Sequence, residues 1–261
     1  MNSPATWTDD NAVLRDYQLE DWLRKTYTAG THTAGSSGRT AQQKPGWKQR
    51  VQYAVGHAVN RYYSLDPELR EVANMGQLLD YRWPRRTQCF ESERHYWDTK
   101  DLMIRRLTEL LPPNHPAAYP VMLYEQHQVM VPELGAELSL IFQAAWQVPW
   151  TTAQPDAGSS GHKSLIVQKF FLEHEPQLEE AFIHLSSVFC QSAFGALPER
   201  IELFNIIEGT VRQYVPHADQ YTASVDYLHL LRHAVPGGNR SCTSCGTNVG
   251  MAYLAPQWSL M

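Results

Sequence analysis

Cysteine is scarce in this chain, and neither sign of charge dominates. Four cysteines stand among 261 residues, at positions 89, 190, 242 and 245, too few and too unevenly spaced for a secreted disulfide framework. Lysine and arginine number 22 against 27 acids, a net charge of −5, so no global basic field announces nucleic-acid binding and any such binding needs a local patch. Long apolar runs are missing: none approaches the roughly 18 residues of a membrane span. The first eleven residues are polar and acidic, without the apolar segment of a signal peptide. These absences point to a cytoplasmic protein with no membrane partner. The phosphate-cradling GxxxxGK[ST] loop, the GxGxxG fingerprint and the GxSxG elbow are also missing, which argues against the common nucleotide-binding and serine-hydrolase classes. What remains, with 43% hydrophobic and 19% charged residues, is a globular composition with enough core for one large domain or two small ones.

Periodicity divides the chain. Leu14, Tyr17, Leu19, Trp22 and Leu23 predict a helix over 12–27, and Gly, Ser, Thr and Gln predict a flexible loop over 29–46. Val51, Ala54, Val55, Ala58, Val59 and Tyr62 stripe a helix over 47–63. Pro67 opens a short helix, and another runs over 96–111 to the stop at Pro112-Pro113. Residues 1–118 therefore read as a mostly helical region. From Tyr119 the pattern changes to strands over 121–131, 138–148 and 164–172, with a Gly-Ser loop between the last two. The pentapeptide Ala-Gly-Ser-Ser-Gly stands in both flexible loops, at 34–38 and 157–161, a coincidence of composition rather than a repeat. Pro176 opens a helix to Phe194, ended by Gly195 as a left-handed cap; a hairpin over 201–215 and a helix over 221–235 follow. The expected architecture is α/β (or α+β): a helical N-terminal part, a small mixed sheet flanked by helices over 119–235, and a tail over 236–261.

Two features carry candidate chemistry. Near the C-terminus, His229 and His233 stand four apart on a helix, hence on one face, and Cys242-Thr243-Ser244-Cys245 follows a Pro-Gly-Gly turn. Together they offer the four ligands of a closed, structural tetrahedral zinc site. The blander account is a pair of histidines at a helix C-terminus, favoured there by the dipole, followed by an irregular tail. The other feature is a set of arginines, Arg82, Arg85 and Arg86, amid aromatic residues that include Trp83, Tyr96 and Trp97. Such residues favour contact surfaces, for nucleic acid or for a protein partner, although a solvated helix face would also use them.

The run from 121 to 215 resembles the core of the PD-(D/E)XK nuclease superfamily, in its RecB-like branch. The resemblance rests on Glu175-Pro176-Gln177 at a helix start, Ala196-Leu197-Pro198 after it, and Ile201 to Phe204 leading into Glu208-Gly209. It covers roughly 95 residues in a strand, strand, strand, helix, strand, strand order. It implies a DNA-binding protein, with magnesium or manganese as cofactor if it is active, and places the functional positions at Glu137, Gln168, Lys169 and Gln177. Metal-assisted phosphodiester hydrolysis needs carboxylates to hold the ion and a lysine beside them. Where the family has Asp/Glu-x-Lys this chain has Val167-Gln168-Lys169, so the resemblance implies a degenerate, pseudoenzyme-like site. Its iron–sulfur members use one early and three late cysteines, and here a third late cysteine is missing. Two functional classes follow: a lapsed or active nuclease that binds DNA, and a non-catalytic, zinc-stabilised protein-interaction subunit.

Overall fold

The computed structural model describes residues 13–31, 46–113, 115, 117–149 and 163–234. The expected Gly-Ser loop over 151–163 lies outside these except for its last residue, as do both copies of the pentapeptide, Cys242, Cys245 and the tail over 236–261. The N-terminal element differs from expectation. Val13–Arg15 is a short strand, β1, and the helix α1 starts only at Asp16 and runs to Thr31. Leu14 belongs to the helical stripe in sequence, but pairing with residues 137–139 holds Val13–Arg15 extended.

The next helices follow their caps. α2 spans Trp47–Tyr63, α3 Pro67–Arg70 and α4 Met75–Asp80, the last capped by Asn74, whose side chain accepts the N–H of Gln77. α5 spans Glu93–Leu110, three residues earlier than the stripe suggested, because Ser92 accepts the N–H of His95 at 3.0 Å and satisfies an orphan donor. The strands are β2 (Met122–Val131), β3 (Ala136–Pro149) and β4 (Lys163–Phe171). α6 covers Pro176–Phe194 and ends at Gly195 with φ +72°, the left-handed cap expected there. β5 (Arg200–Asn205) and β6 (Thr210–Tyr214) form the hairpin, and α7 spans Tyr221–Ala234.

The described strands form one open, mixed, six-stranded sheet with helices on both faces, an α/β arrangement. On one face α1, α6 and α7 bury Leu19, Leu178, Phe182, Phe189 and Leu228 against Leu138, Leu140 and Phe142. On the other, α2, α4 and α5 bury Val55, Val59, Leu79, Met103 and Leu107 against Trp146, Phe170 and Phe204. The N-terminal helices thus pack directly on the two faces of the sheet. Each such side chain contributes about 1.5–3 kcal/mol by leaving water. None of the described helices is long and apolar enough to cross a membrane.

β3 organises everything else. One edge pairs antiparallel with β2 from Ala136 to Ala145. Its other edge is shared: β1 takes residues 137–139 in parallel, and β4 takes residues 144–149 antiparallel. Residues 140–143 on that edge have no strand beside them. The strand also turns over here, since Phe142 faces one core and Ala144, of the same parity, faces the other. Tyr124, between the two flanking β2 pairs, has φ +50°. The gap between β1 and β4 is a notch in the middle of the sheet.

Candidate functional site

The notch is closed by side chains that replace the missing ladder. Asp16, the first residue of α1, accepts the N–H of Ile141 at 2.9 Å through Oδ2, and that of Tyr17 at 2.7 Å through Oδ1. Gln143 Oε1 accepts the N–H of Phe170 at 2.6 Å, and Gln52 on α2 donates to the Phe170 carbonyl at 2.8 Å. Beside them Lys169, 5% exposed, runs between the rings of Phe171 and Phe182. Its Nζ donates to Glu20 Oε1 at 2.5 Å, one helical turn beyond Asp16. Burial raises the Asp16 carboxyl above its ordinary value of 3.8, while the Lys169 charge pulls it down.

This arrangement separates the positions that the sequence placed together. Gln168 and Lys169 are neighbours on a strand and so point to opposite faces. Gln168 lies in the other core: its Oε1 accepts from Trp146 Nε1 at 2.8 Å, and its Nε2 donates to Glu202 at 2.7 Å. Glu202 is held in turn by Arg200 at 2.7 Å. Glu137 pairs with Val13 near the start of β3, seven residues from Ala144, the partner of Gln168. At ~3.3 Å per strand residue that is about 23 Å, too far for Glu137 to share a metal with Gln168. The carboxylates that do meet Lys169, Asp16 and Glu20, come from α1. Their spacing of four, continued to Arg24, was the available signal; the apolar stripe on the same helix concealed it. Among the described residues no three His, Cys, Asp or Glu converge as a metal shell.

Beyond the notch, at the C-terminal end of β4, lies a cleft of about 1,110 Å³. α1 contributes Arg24 and Tyr27, α2 contributes Lys48, Arg50 and Tyr53, and the segment after α4 contributes Tyr81, Arg82 and Arg85. Gln177, at the start of α6, lies in the wall, so the cleft unites it with Arg82 and Arg85, three positions singled out in sequence; Arg86 is exposed but does not line it. Glu175 takes Arg24 through two hydrogen bonds of 3.0 and 3.1 Å, and Glu173 takes Lys48 through two of 2.7 and 2.9 Å. Arg82 and Arg85 have no ion-pair partner among the described residues. The three tyrosines, Tyr27, Tyr53 and Tyr81, are 53%, 48% and 55% exposed. By contrast, Trp83 and Tyr96, expected at a partner surface, are 3% and 8% exposed and pack around Phe90.

Of the four expected zinc ligands, His229 and His233 lie among the described residues. His229 Nε2 donates to the Glu133 carbonyl at 3.0 Å, tying α7 to the turn after β2, and Arg232 donates to the Leu134 carbonyl beside it. His233 is exposed on α7. Burial pushes the Cys190 thiol up to about 12, and Cys190 packs in the core below α6. A smaller cavity of about 380 Å³ lies across the β4–α6 loop, where His174 and Arg212 both hold the buried Glu179 at 2.6 Å. In comparisons with known proteins no family model matches the chain, and no curated protein is significantly similar to it.

Proposed function

We propose that the protein binds nucleic acid in the cleft between α1, α2 and the β4–α6 loop, on a RecB-like nuclease scaffold whose hydrolytic site has lapsed. The cleft carries the reading: five cationic side chains against two acids, with three exposed tyrosines and Gln177 in one concavity. A local patch of this kind attracts phosphates although the whole chain is acidic. The strand, strand, strand, helix, strand, strand order over 122–214 agrees with the resemblance.

Lapsed hydrolysis is supported by how the notch spends its polar groups. A catalytic lysine must reach a water or phosphate, and carboxylates must keep lone pairs for a divalent ion. Here Lys169 is committed to Glu20, both Asp16 oxygens accept backbone N–H groups, and Val167 lies in the core. A cytoplasmic setting belongs to the same proposal and is consistent with the free thiols of Cys89 and Cys190. So does a structural zinc held by His229, His233, Cys242 and Cys245, which metal analysis of the purified chain would test.

Fluorescence anisotropy with labelled DNA tests the reading, run beside a cleavage assay in Mn²⁺. Binding should weaken steeply with salt, and Arg82→Glu with Arg85→Glu should abolish it without moving the melting temperature. Unaltered binding in that variant would remove the cleft from consideration. Metal-dependent cutting that disappears in Lys169→Ala would overturn the lapsed site. The alternative, a non-catalytic protein-interaction subunit, uses the same arginines and would be favoured by loss of a protein partner, with no nucleic acid bound.

A further inference from the structure

Taking the cleft as a nucleic-acid site, we infer that its ligand is single-stranded: unpaired bases stack on Tyr53 and Tyr81 while the backbone runs along Arg82 and Arg85. This deepens the reading above and rests on it.

The tyrosines are the reason. A singly exposed aromatic residue is ordinary on a protein surface. In this cleft Tyr27, Tyr53 and Tyr81 converge from α1, α2 and the turn after α4, each about half exposed. The convergence is ordered. Tyr53 lies one turn before His57 on α2, with ring centroids 6.5 Å apart, and His57 stacks on Tyr81 at 5.2 Å with an interplanar angle of 24°. Tyr53, His57 and Tyr81 therefore form a file of rings, in which His57 is buried and Tyr53 and Tyr81 line the cleft. The Arg61 and Arg82 guanidinium groups stand 4.6 and 5.1 Å from the Tyr81 ring, so cations accompany the aromatic wall and do not sit apart from it.

That combination distinguishes between strands. A duplex hides its base faces in its own stack and offers phosphates and groove edges, which need cations and hydrogen-bonding groups but give a tyrosine ring nothing to lie on. A single strand offers a π face at every base, and aromatic platforms beside a cationic track are how such strands are held without reading sequence. Size agrees: about 1,110 Å³ lies just beyond the ~300–1,000 Å³ typical of small-molecule sites, which suits a short run of nucleotides. Glu173 and Glu175 already hold Lys48 and Arg24, whereas Arg82 and Arg85 have no ion-pair partner among the described residues. Phosphates are thereby directed to Arg82 and Arg85, beside Tyr81.

The test compares three fluorescein-labelled probes of one length: oligothymidylate, oligouridylate and a mixed-sequence DNA duplex. At least one single strand should bind tenfold or more tighter than the duplex, either sugar satisfying the inference. Tyr53→Ala and Tyr81→Ala should each weaken single-strand binding about tenfold, with duplex binding and melting temperature unchanged. Tyr53→Phe and Tyr81→Phe, which keep the ring and lose the hydroxyl, should bind as the parent does. Equal or tighter binding of the duplex, with the alanine variants unaffected, would overturn the single-strand inference and leave the cleft as a nucleic-acid site. Binding of none of the probes would overturn both.

Discussion

Replacing Lys169 by methionine is the sharpest perturbation of the notch. Methionine keeps an unbranched chain between the Phe171 and Phe182 rings and removes only the charge. The lysine side chain is 7% exposed and that of its partner Glu20 is 23% exposed, so the pair is largely out of water. Removing one member of a buried pair costs about 3–5 kcal/mol, chiefly because the other is left uncompensated. Glu20 retains a path to solvent, which puts the expectation at the lower end, about 3 kcal/mol, or a drop in Tm of about 6–12 °C. Glu20→Gln should cost less, about 1–2 kcal/mol, because the amide oxygen still accepts from Nζ and Asp16 remains nearby as a counter-charge. The double variant then decides the matter. If the two groups are coupled as the geometry requires, its loss should fall short of the sum by about 1–3 kcal/mol. Urea denaturation followed by circular dichroism and tryptophan fluorescence gives all four corners of the cycle. Additivity within ~0.5 kcal/mol, or a Lys169→Met cost below ~1 kcal/mol, would refute the reasoning: Lys169 would then be a solvated side chain, free to act on a substrate.

Gln168→Leu should cost about 2–4 kcal/mol by stranding Trp146 Nε1 and the Glu202 carboxylate in the core, and should leave nucleic-acid affinity untouched; a loss of affinity at unchanged stability would return Gln168 to a ligand role. Burial lowers the pKa of His57, His115 and His184 below the ordinary 6.5, so between 6.5 and the depressed values the unfolded chain binds more protons than the folded one. Stability should therefore be full above 6.5 and decline as pH falls through that window. Substituting His184 by glutamine should shrink the decline measured by urea titration between neutral pH and about pH 5.5; an unchanged slope would exclude it as a contributor. Gly209 has φ +70°, and a Cβ there would stand 2.6 Å from the Arg106 guanidinium. Gly209→Ala should thus lose about 1–2 kcal/mol, and a neutral result by thermal melting would mean that the β5–β6 turn adjusts freely.

Local order was legible where the chain signals to itself. The stripe over 47–63, Pro176 and Gly195 around α6, and the turn at Gly209 all work through neighbours a few residues away. β1 was not legible, because three residues inside the expected helix become a strand only through Glu137–Ser139, more than a hundred positions on. The Lys169 pair with Glu20 has the same character: two ordinary residues, 149 apart, whose meeting depends on how β3 divides its edge. Gln168 and Lys169 are consecutive on one strand, whose faces alternate, so the sequence itself puts their side chains on opposite sides of the sheet. In the cleft, Arg82, Arg85 and Gln177 stood out as charge or motif. The tyrosines did not, because in sequence a platform and a core residue look alike, as buried Tyr63 and exposed Tyr53 on the same helix demonstrate.

The notch also explains why glutamine recurs around it. Leaving β3 without a neighbour over residues 140–143 would orphan backbone groups inside the sheet, and each costs about 1–3 kcal/mol if buried unpaired. Asp16 answers Ile141, Gln143 answers the Phe170 N–H, and Gln52 answers the Phe170 carbonyl. A glutamine in such a place closes the ladder without bringing in a charge that must be solvated or paired, whereas a carboxylate brings a penalty that grows with burial. Asp16 displays that penalty in its raised pKa, and Lys169 is what limits it. The ionic cluster and the two glutamines are therefore one structural solution to a break in the sheet. A side chain engaged in holding β1, β3 and β4 together is unsuited to cycling through the protonation and coordination changes of hydrolysis. The cleft is under no such constraint: Arg82, Arg85 and the three tyrosines are set on its walls without closing any ladder, and that freedom supports the recognition proposed there.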